Sequence, residues 1–162
     1  MIIAGVDPGL GGALALYDTK RRELTAVIDM PVFKLKTKSE LDPHLIAAFF
    51  KDRDIDHVFL ELPQGRPGQG AYATGRFWMS YGVVLGVVVA LDLVYTTVAA
   101  ATWKRALGVP SEKNASRMRA TQLLPGYAGF WKLVKHDGRA EAAMIAYYGA
   151  LRWMPMPRRH RG

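Results

Sequence analysis

Apolar residues recur along this chain with two different periods. "MIIAGVD" and "GALALYD" are nearly continuous apolar runs joined by the tight "PGLGG", and "ELTAVIDM" follows a polar break. Each reads as a strand, and three strands on short links predict an antiparallel meander. "FKLKTKSE" alternates lysine with other residues and reads as a solvated connection. The spacing then turns helical in "LDPHLIAAFFKDRD", with Asp42 as N-cap and Pro43 at the first helical position. "HVFLEL" is a short, almost wholly apolar strand of the kind buried on both faces of a sheet. "PQGRPGQG" is a loop, and a long apolar helix is expected from Ala71 to Leu93. "VYTTVAA" reads as a fifth strand and "TWKRALG" as a short helix ended by Gly108. Ser111 caps "EKNASRMRATQLL", which Pro125 stops, and after "GYAGFWKLVKH" comes a last helix, "DGRAEAAMIAYYGALRWM". This order predicts an α/β fold, a mixed sheet flanked by helices. No repeat or internal boundary interrupts it. One domain over 1–154 with a basic tail over 155–162 is expected.

Composition adjusts this picture at three points. The segment "FWMSYGVVLGVVVALDL" is broken by Ser80, Gly82, Gly86 and Asp92. It falls short of the ~18–20 apolar residues that span a bilayer, so a buried helix is expected rather than a membrane span. There is no cysteine, and the N-terminus lacks the basic region and cleavage site of a secretory signal. A soluble, cytoplasmic protein is expected. The formal charge is +8 with a sequence pI near 9.9, which favours polyanionic partners. Four arginines in the closing "RWMPMPRRHRG" supply much of that excess, although such an end is also often simply solvated.

Three carboxylates sit where apolar residues belong. Asp7 follows Ile3 and Gly5 on one face of the first strand, and Glu61 alternates with Phe59 in "VFLEL". Glu141 heads a helical stripe through Met144, Ile145 and Tyr148, with Asp137 one turn earlier on the same face. Each has a simpler reading when taken singly. Asp7 can brace its turn, Glu61 can pair with a buried cation, and Asp137 can cap the last helix. Burying unpaired carboxylates is costly, and gathering several is worse unless a divalent cation neutralises them. Mg²⁺ takes oxygen ligands of this kind, and two such ions clamp the attacking and leaving oxygens of a phosphodiester. Their joint placement on two strand ends and one helix start favours a shared metal site.

With those residues in view, the chain resembles the RuvC-type Holliday junction resolvases of the RNase H-like superfamily, phage-encoded members in particular. "GVDPGLGGALALYD" is similar to the family's first hairpin with its strand-one Asp, and "VFLELP" to the strand carrying the second acid. "SYGVVLGVVVAL" corresponds to the long helix, "TWKRALGVPSEKNASRMRATQLL" to the lysine region, and "RAEAAMIAYYGA" to the closing helix. The resemblance covers most of the chain in order. It implies a five-stranded mixed sheet of order 3-2-1-4-5, a homodimer, dependence on Mg²⁺ (or Mn²⁺) with two ions per site, and paired nicks in a four-way DNA junction. The expected products are 5′-phosphate and 3′-hydroxyl ends. No nucleotide cofactor and no membrane partner are implied.

Carried over by motif, Asp7, Glu61 and Glu141 fall on metal-ligand positions, and Lys104 and Lys113 match lysines used near the scissile phosphate. The family's fourth ligand, an Asp or His, stands three residues before the last acid, where this chain has Gly138. Asp137, four residues before, is the expected substitute. His136 is the alternative, better tolerated by Mn²⁺. An aromatic expected three residues after the second acid is replaced by Gln64, leaving Tyr72, Phe77, Trp78 and Tyr81 to stack on bases or to serve as core and interface. The DNA contacts expected on this reading are Arg66, Tyr72, Arg76, Lys104, Lys113 and Arg117. Two other readings compete. The sugar kinase and actin superfamily shares the Asp-Gly hairpin but needs a second lobe. A non-catalytic junction binder, or a nuclease for other branched DNA or RNA–DNA hybrids, would share the fold.

Overall fold

β1 (Ile2–Asp7), β2 (Ala13–Asp18) and β3 (Glu23–Asp29) form the antiparallel meander that the apolar runs predict. The computed structural model describes residues 1–64, 70–112 and 114–153, so Arg66, Lys113 and the basic tail lie outside the described residues. Where a solvated connection was expected, the chain instead folds β4 (Val32–Lys34) against β5 (Ser39–Leu41) as a separate two-stranded ribbon. Its strands are too short to show a period, and its lysines mask the pairing.

α1 (Pro43–Lys51) starts as the sequence predicts. The Asp42 carboxylate accepts from the His44 and Leu45 backbone N–H groups at 3.0 and 3.1 Å, satisfying two otherwise free donors. β6 (Ile55–Leu62) then runs parallel to β1, and β7 (Tyr95–Ala99) parallel to β6. The sheet order is β3-β2-β1-β6-β7. Counting only its own strands, that is the 3-2-1-4-5 arrangement.

Alternation along β1 separates two cores. Ala4 and Val6 join Leu60, Val84 and Phe50 on the side of α1 and of α2 (Ala71–Ala90). Ile3 joins Phe59, Trp103, Met144 and Ile145 on the side of α5 (Asp137–Trp153). The α5 backbone lies directly on β1, because a Cβ at Gly5 would come within 2.2 Å of the Ala146 nitrogen. The alanines of α5 (Ala140, Ala142, Ala143, Ala146 and Ala150) are all fully buried, as so close an approach demands.

The expected burial of α2 needs correcting. This helix has 20 residues and is long and apolar enough to cross a membrane by length and composition, yet only 22% of its most apolar window is buried. Ser80, Tyr81, Val84, Val87 and Val88 pack on the sheet, making α2 a layer of the α/β fold. The opposite face leaves Trp78 (45% exposed), Met79 (48%) and Val89 (57%) uncovered.

α3 (Ala100–Ala106) follows β7 directly, and Gly108 turns the chain beyond it at φ +63°. α4 (Ala115–Leu123) is shorter than predicted and begins at Asn114, in the left-handed region at φ +68°, rather than at Ser111. Asparagine is among the residues that tolerate this conformation. Two 3-10 turns, Pro125–Trp131 and Val134–His136, lead into α5.

Candidate metal centre

Parallel pairing of β1 and β6 sets Val6 beside Leu60, so the next residues along the two strands are Asp7 and Glu61. α5 crosses over this end of the sheet and adds Glu141. One carboxylate oxygen from each of Asp7, Glu61 and Glu141 lies within 4.8 Å of the others, a spacing that could hold a metal ion. Glu61 is buried and the other two are half-buried. Burial, followed by the charges of Glu141 and Glu61, pushes the Asp7 carboxyl well above its ordinary range. A backbone hydrogen bond from Gly9 and the charge of Lys104 offset this only in part.

Two of the acids are held by donors. The Trp103 indole N–H, on a fully buried side chain, donates to Glu61 Oε2 at 2.7 Å. Lys104 Nζ and Ser116 Oγ both donate to Glu141 Oε1 at 2.7 Å. Sequence reasoning selected Lys104 but missed Trp103 and Ser116. For Trp103 a signal existed: a buried indole N–H almost always requires an acceptor, and "TWKR" offers none locally. Ser116 carried no signal, because its partner lies 25 residues away.

Asp137 is not in this group. Its carboxylate accepts from Arg117 Nε at 2.6 Å, and Arg117 also donates to Asn114 Oδ1 at 2.7 Å. His136 is outside it too, with Nδ1 accepting weakly from the Leu133 N–H at 3.4 Å. Nor can position 138 supply a ligand as the chain stands. A Cβ there would meet the Gly11 carbonyl oxygen at 2.3 Å, so α5 and the β1–β2 turn touch backbone to backbone. Nearby, Arg139 makes two 2.6 Å hydrogen bonds to Asp29 and pins the start of α5 to the end of β3.

The expected DNA contacts fall in different settings. Tyr72 is 77% exposed near the start of α2. Arg76 is engaged, donating to the Ser39 carbonyl at 2.7 Å. Trp78 meets Tyr81 edge-on with ring centres 5.8 Å apart, and Tyr81 is buried against the sheet. Phe77 lines a hollow with Gly9, Leu10, Arg76 and Ser80 beside the β1–β2 turn.

Comparison with known proteins adds one decisive observation. No family model and no curated protein matches the sequence. Solved structures do match. The Thermus thermophilus RuvC structure in complex with a Holliday junction substrate aligns with a TM-score of 0.63 at 13% identity. The alignment covers 94% of this chain and 96% of that one. The fold is that of RuvC. A second Thermus thermophilus RuvC structure gives a TM-score of 0.60 at 15% identity over the same shares. The likeness spans both chains almost end to end, so it includes the sheet, the α2 layer and the α5 crossing that assemble the three carboxylates.

Proposed function

We propose that this protein is a metal-dependent endonuclease that resolves four-way DNA junctions by paired nicks. The observation that carries the reading is the convergence of Asp7, Glu61 and Glu141 on adjacent parallel strand ends and α5 of a RuvC fold. An all-carboxylate donor set suits a hard cation, Mg²⁺ or Mn²⁺ in its place. The raised Asp7 carboxyl supports the same conclusion, since a cation is what would relieve it. Once bound, ions there would polarise the scissile phosphodiester and lower the pKa of an attacking water.

The chain's own residues divide the remaining work. Trp103 fixes one oxygen of Glu61. Ser116 and Lys104 share one oxygen of Glu141. In this reading the Lys104 ammonium, bonded to Glu141 in the free protein, turns toward a phosphate and stabilises charge developing in the transition state. Lys113 and Arg66 belong to this reading through sequence alone. Asp137 joins it only if Arg117 lets it go.

Paired nicks need two sites, and α2 supports self-association. Gly75, Gly82 and Gly86 have open space beside them, and they share the outward face with Trp78, Met79 and Val89. Small residues let a second copy approach closely while the large ones supply buried area. Met79→Arg should then convert a dimer to a monomer in sedimentation velocity.

The deciding test is cleavage of a synthetic four-way junction, a flap and an RNA–DNA hybrid, with Mg²⁺ or EDTA. Wild type should cut the junction symmetrically and only with metal, and Asp7→Asn, Glu61→Gln and Glu141→Gln should bind it without cutting. Cleavage by Asp7→Asn would sink the assignment. Preference for the hybrid or the flap would redirect it to another nuclease of the same fold.

A further inference from the structure

Resting on that reading, we infer that the β4–β5 ribbon is a grip for the phosphate backbone of a duplex arm. The ribbon leaves the sheet at the end where the carboxylates gather. Asp7 pairs with Ala13 and Ala13 with Asp29, so the three occupy one row across β1, β2 and β3. With about 4.8 Å between strands, Asp29 lies roughly 10 Å from Asp7. Pro31, two residues beyond Asp29, begins the ribbon.

Its base is fixed and its tip is open. At the base the Asp42 N–H donates to the Pro31 carbonyl at 2.9 Å, Leu41 is buried in the core, and Arg76 of α2 holds the Ser39 carbonyl at 2.7 Å. At the tip the Leu35 N–H closes the turn onto the Lys38 carbonyl at 2.7 Å, and every residue from Val32 to Lys38 is exposed. Lys34, Lys36 and Lys38 crowd this turn with no acid between them. Lys38 pairs with Glu40, while Lys34 and Lys36 make no ion pair among the described residues. Phe33 and Leu35, 38% and 44% exposed, sit among the lysines. Two unpaired ammonium groups and a third shared with Glu40, on a ribbon anchored at its base, suit a polyanion, and a two-stranded ribbon is narrow enough for the ~12 Å major groove of a duplex. The arm's backbone is the occupant that this charge selects. A second copy of the chain would bring three more lysines to the same place.

The test is the salt dependence of junction binding, read by fluorescence anisotropy in Ca²⁺ between low and moderate KCl. Three variants are compared with wild type: Lys34→Ala/Lys36→Ala/Lys38→Ala, the double Lys34→Ala/Lys36→Ala, which spares the Lys38–Glu40 pair, and a control of equal charge change. The control, Lys20→Ala/Arg21→Ala/Lys51→Ala, removes cations at the far end of the sheet. Each phosphate contact contributes about 0.9 to the log–log slope, so the triple ribbon variant should flatten it by roughly 2–3 and the double by roughly 2. The control should leave it nearly unchanged. Wild-type binding with equal slopes in the ribbon and control variants overturns the ribbon's role alone. Failure of wild type to bind the junction overturns both the ribbon and the proposed function. A ribbon variant that changes sedimentation but not the slope would mark the surface as a contact between copies.

Discussion

Removing the Asp7 charge should stabilise the metal-free protein. Two unit charges at 4.8 Å, the largest separation within the acid group, repel by about 3.5 kcal/mol at an effective dielectric of about 20. Asp7 faces two such charges, and the ammonium of Lys104, bonded to Glu141, cancels part of one. Asp7→Asn keeps the shape and the acceptor for the Gly9 N–H while deleting the repulsion. A net gain of about 2–3 kcal/mol is expected, which raises Tm by roughly 5–10 °C in a chain of this size. The assay is thermal unfolding in EDTA and again in Mg²⁺. Wild type should gain about 2.7 kcal/mol at an ion concentration one hundred times its Kd, and Asp7→Asn should gain almost nothing. The pH dependence has a definite sign. Because the folded state raises the Asp7 carboxyl above its ordinary 3.8, its contribution is fully present below that value and is lost as pH rises through the folded one. The advantage of Asp7→Asn should therefore be small near pH 4 and grow toward neutrality. A variant that melts at or below wild type in EDTA would refute the reasoning and return Asp7 to the role of a turn brace.

Other substitutions probe the supports of the site. Trp103→Phe removes a buried hydrogen bond to a carboxylate, worth about 1.5–3 kcal/mol, so Mg²⁺ affinity by calorimetry should fall roughly tenfold or more with far-UV CD unchanged. An unchanged Kd would show that the indole merely fills the core. Gly138→Ala forces a Cβ against the Gly11 carbonyl and should destabilise by about 1–3 kcal/mol in urea unfolding; a variant as stable as wild type would mean that the β1–β2 turn yields freely. Burial lowers the pKa of His57, whose Nδ1 has no hydrogen-bond partner among the described residues, so stability should be intact above about pH 6.5 and be lost as pH falls toward the folded value. Comparing melts at pH 7.5 and 5.5, wild type should lose more than His57→Phe, and equal losses would count against the assignment.

What the sequence revealed and what it hid divide along contact range. The meander and the Asp42 cap depend on neighbours close in the chain, and period-two and capping chemistry predict them. The parallel pairing of β6 with β1, which sets Ile2 beside Ile55, was implied only by the family resemblance. Asp7 and Glu61 were legible as violations of an apolar pattern, and parallel pairing of their strands makes them neighbours. The supports of the site were not legible. Trp103 reaches Glu61 across 42 residues, Lys104 reaches Glu141 across 37, and nothing in the local pattern selects those partners. The ribbon escaped because three-residue strands carry too few positions to show alternation. The exposed face of α2 escaped because composition records how apolar a helix is, not what covers it.

The position of Asp137 shows the limit of helical spacing most clearly. An i,i+4 separation correctly sets Asp137 and Glu141 on one face of α5, and from that alone both should reach the same ion. The face is shared with α4, whose consecutive residues Ser116 and Arg117 take one acid each. Ser116 bonds to Glu141 and leaves it in the acid group, whereas Arg117 draws Asp137 into an ion pair whose acid is 46% exposed. Such a pair contributes little in water, about 1 kcal/mol or less, and a phosphate beside Arg117 would compete for it directly. At the adjacent position the contact of Gly138 with the Gly11 carbonyl excludes any side chain without a backbone shift. A fourth acid for this site is therefore a question about what occupies Arg117, because the helix already supplies the carboxylate and the guanidinium decides where it points.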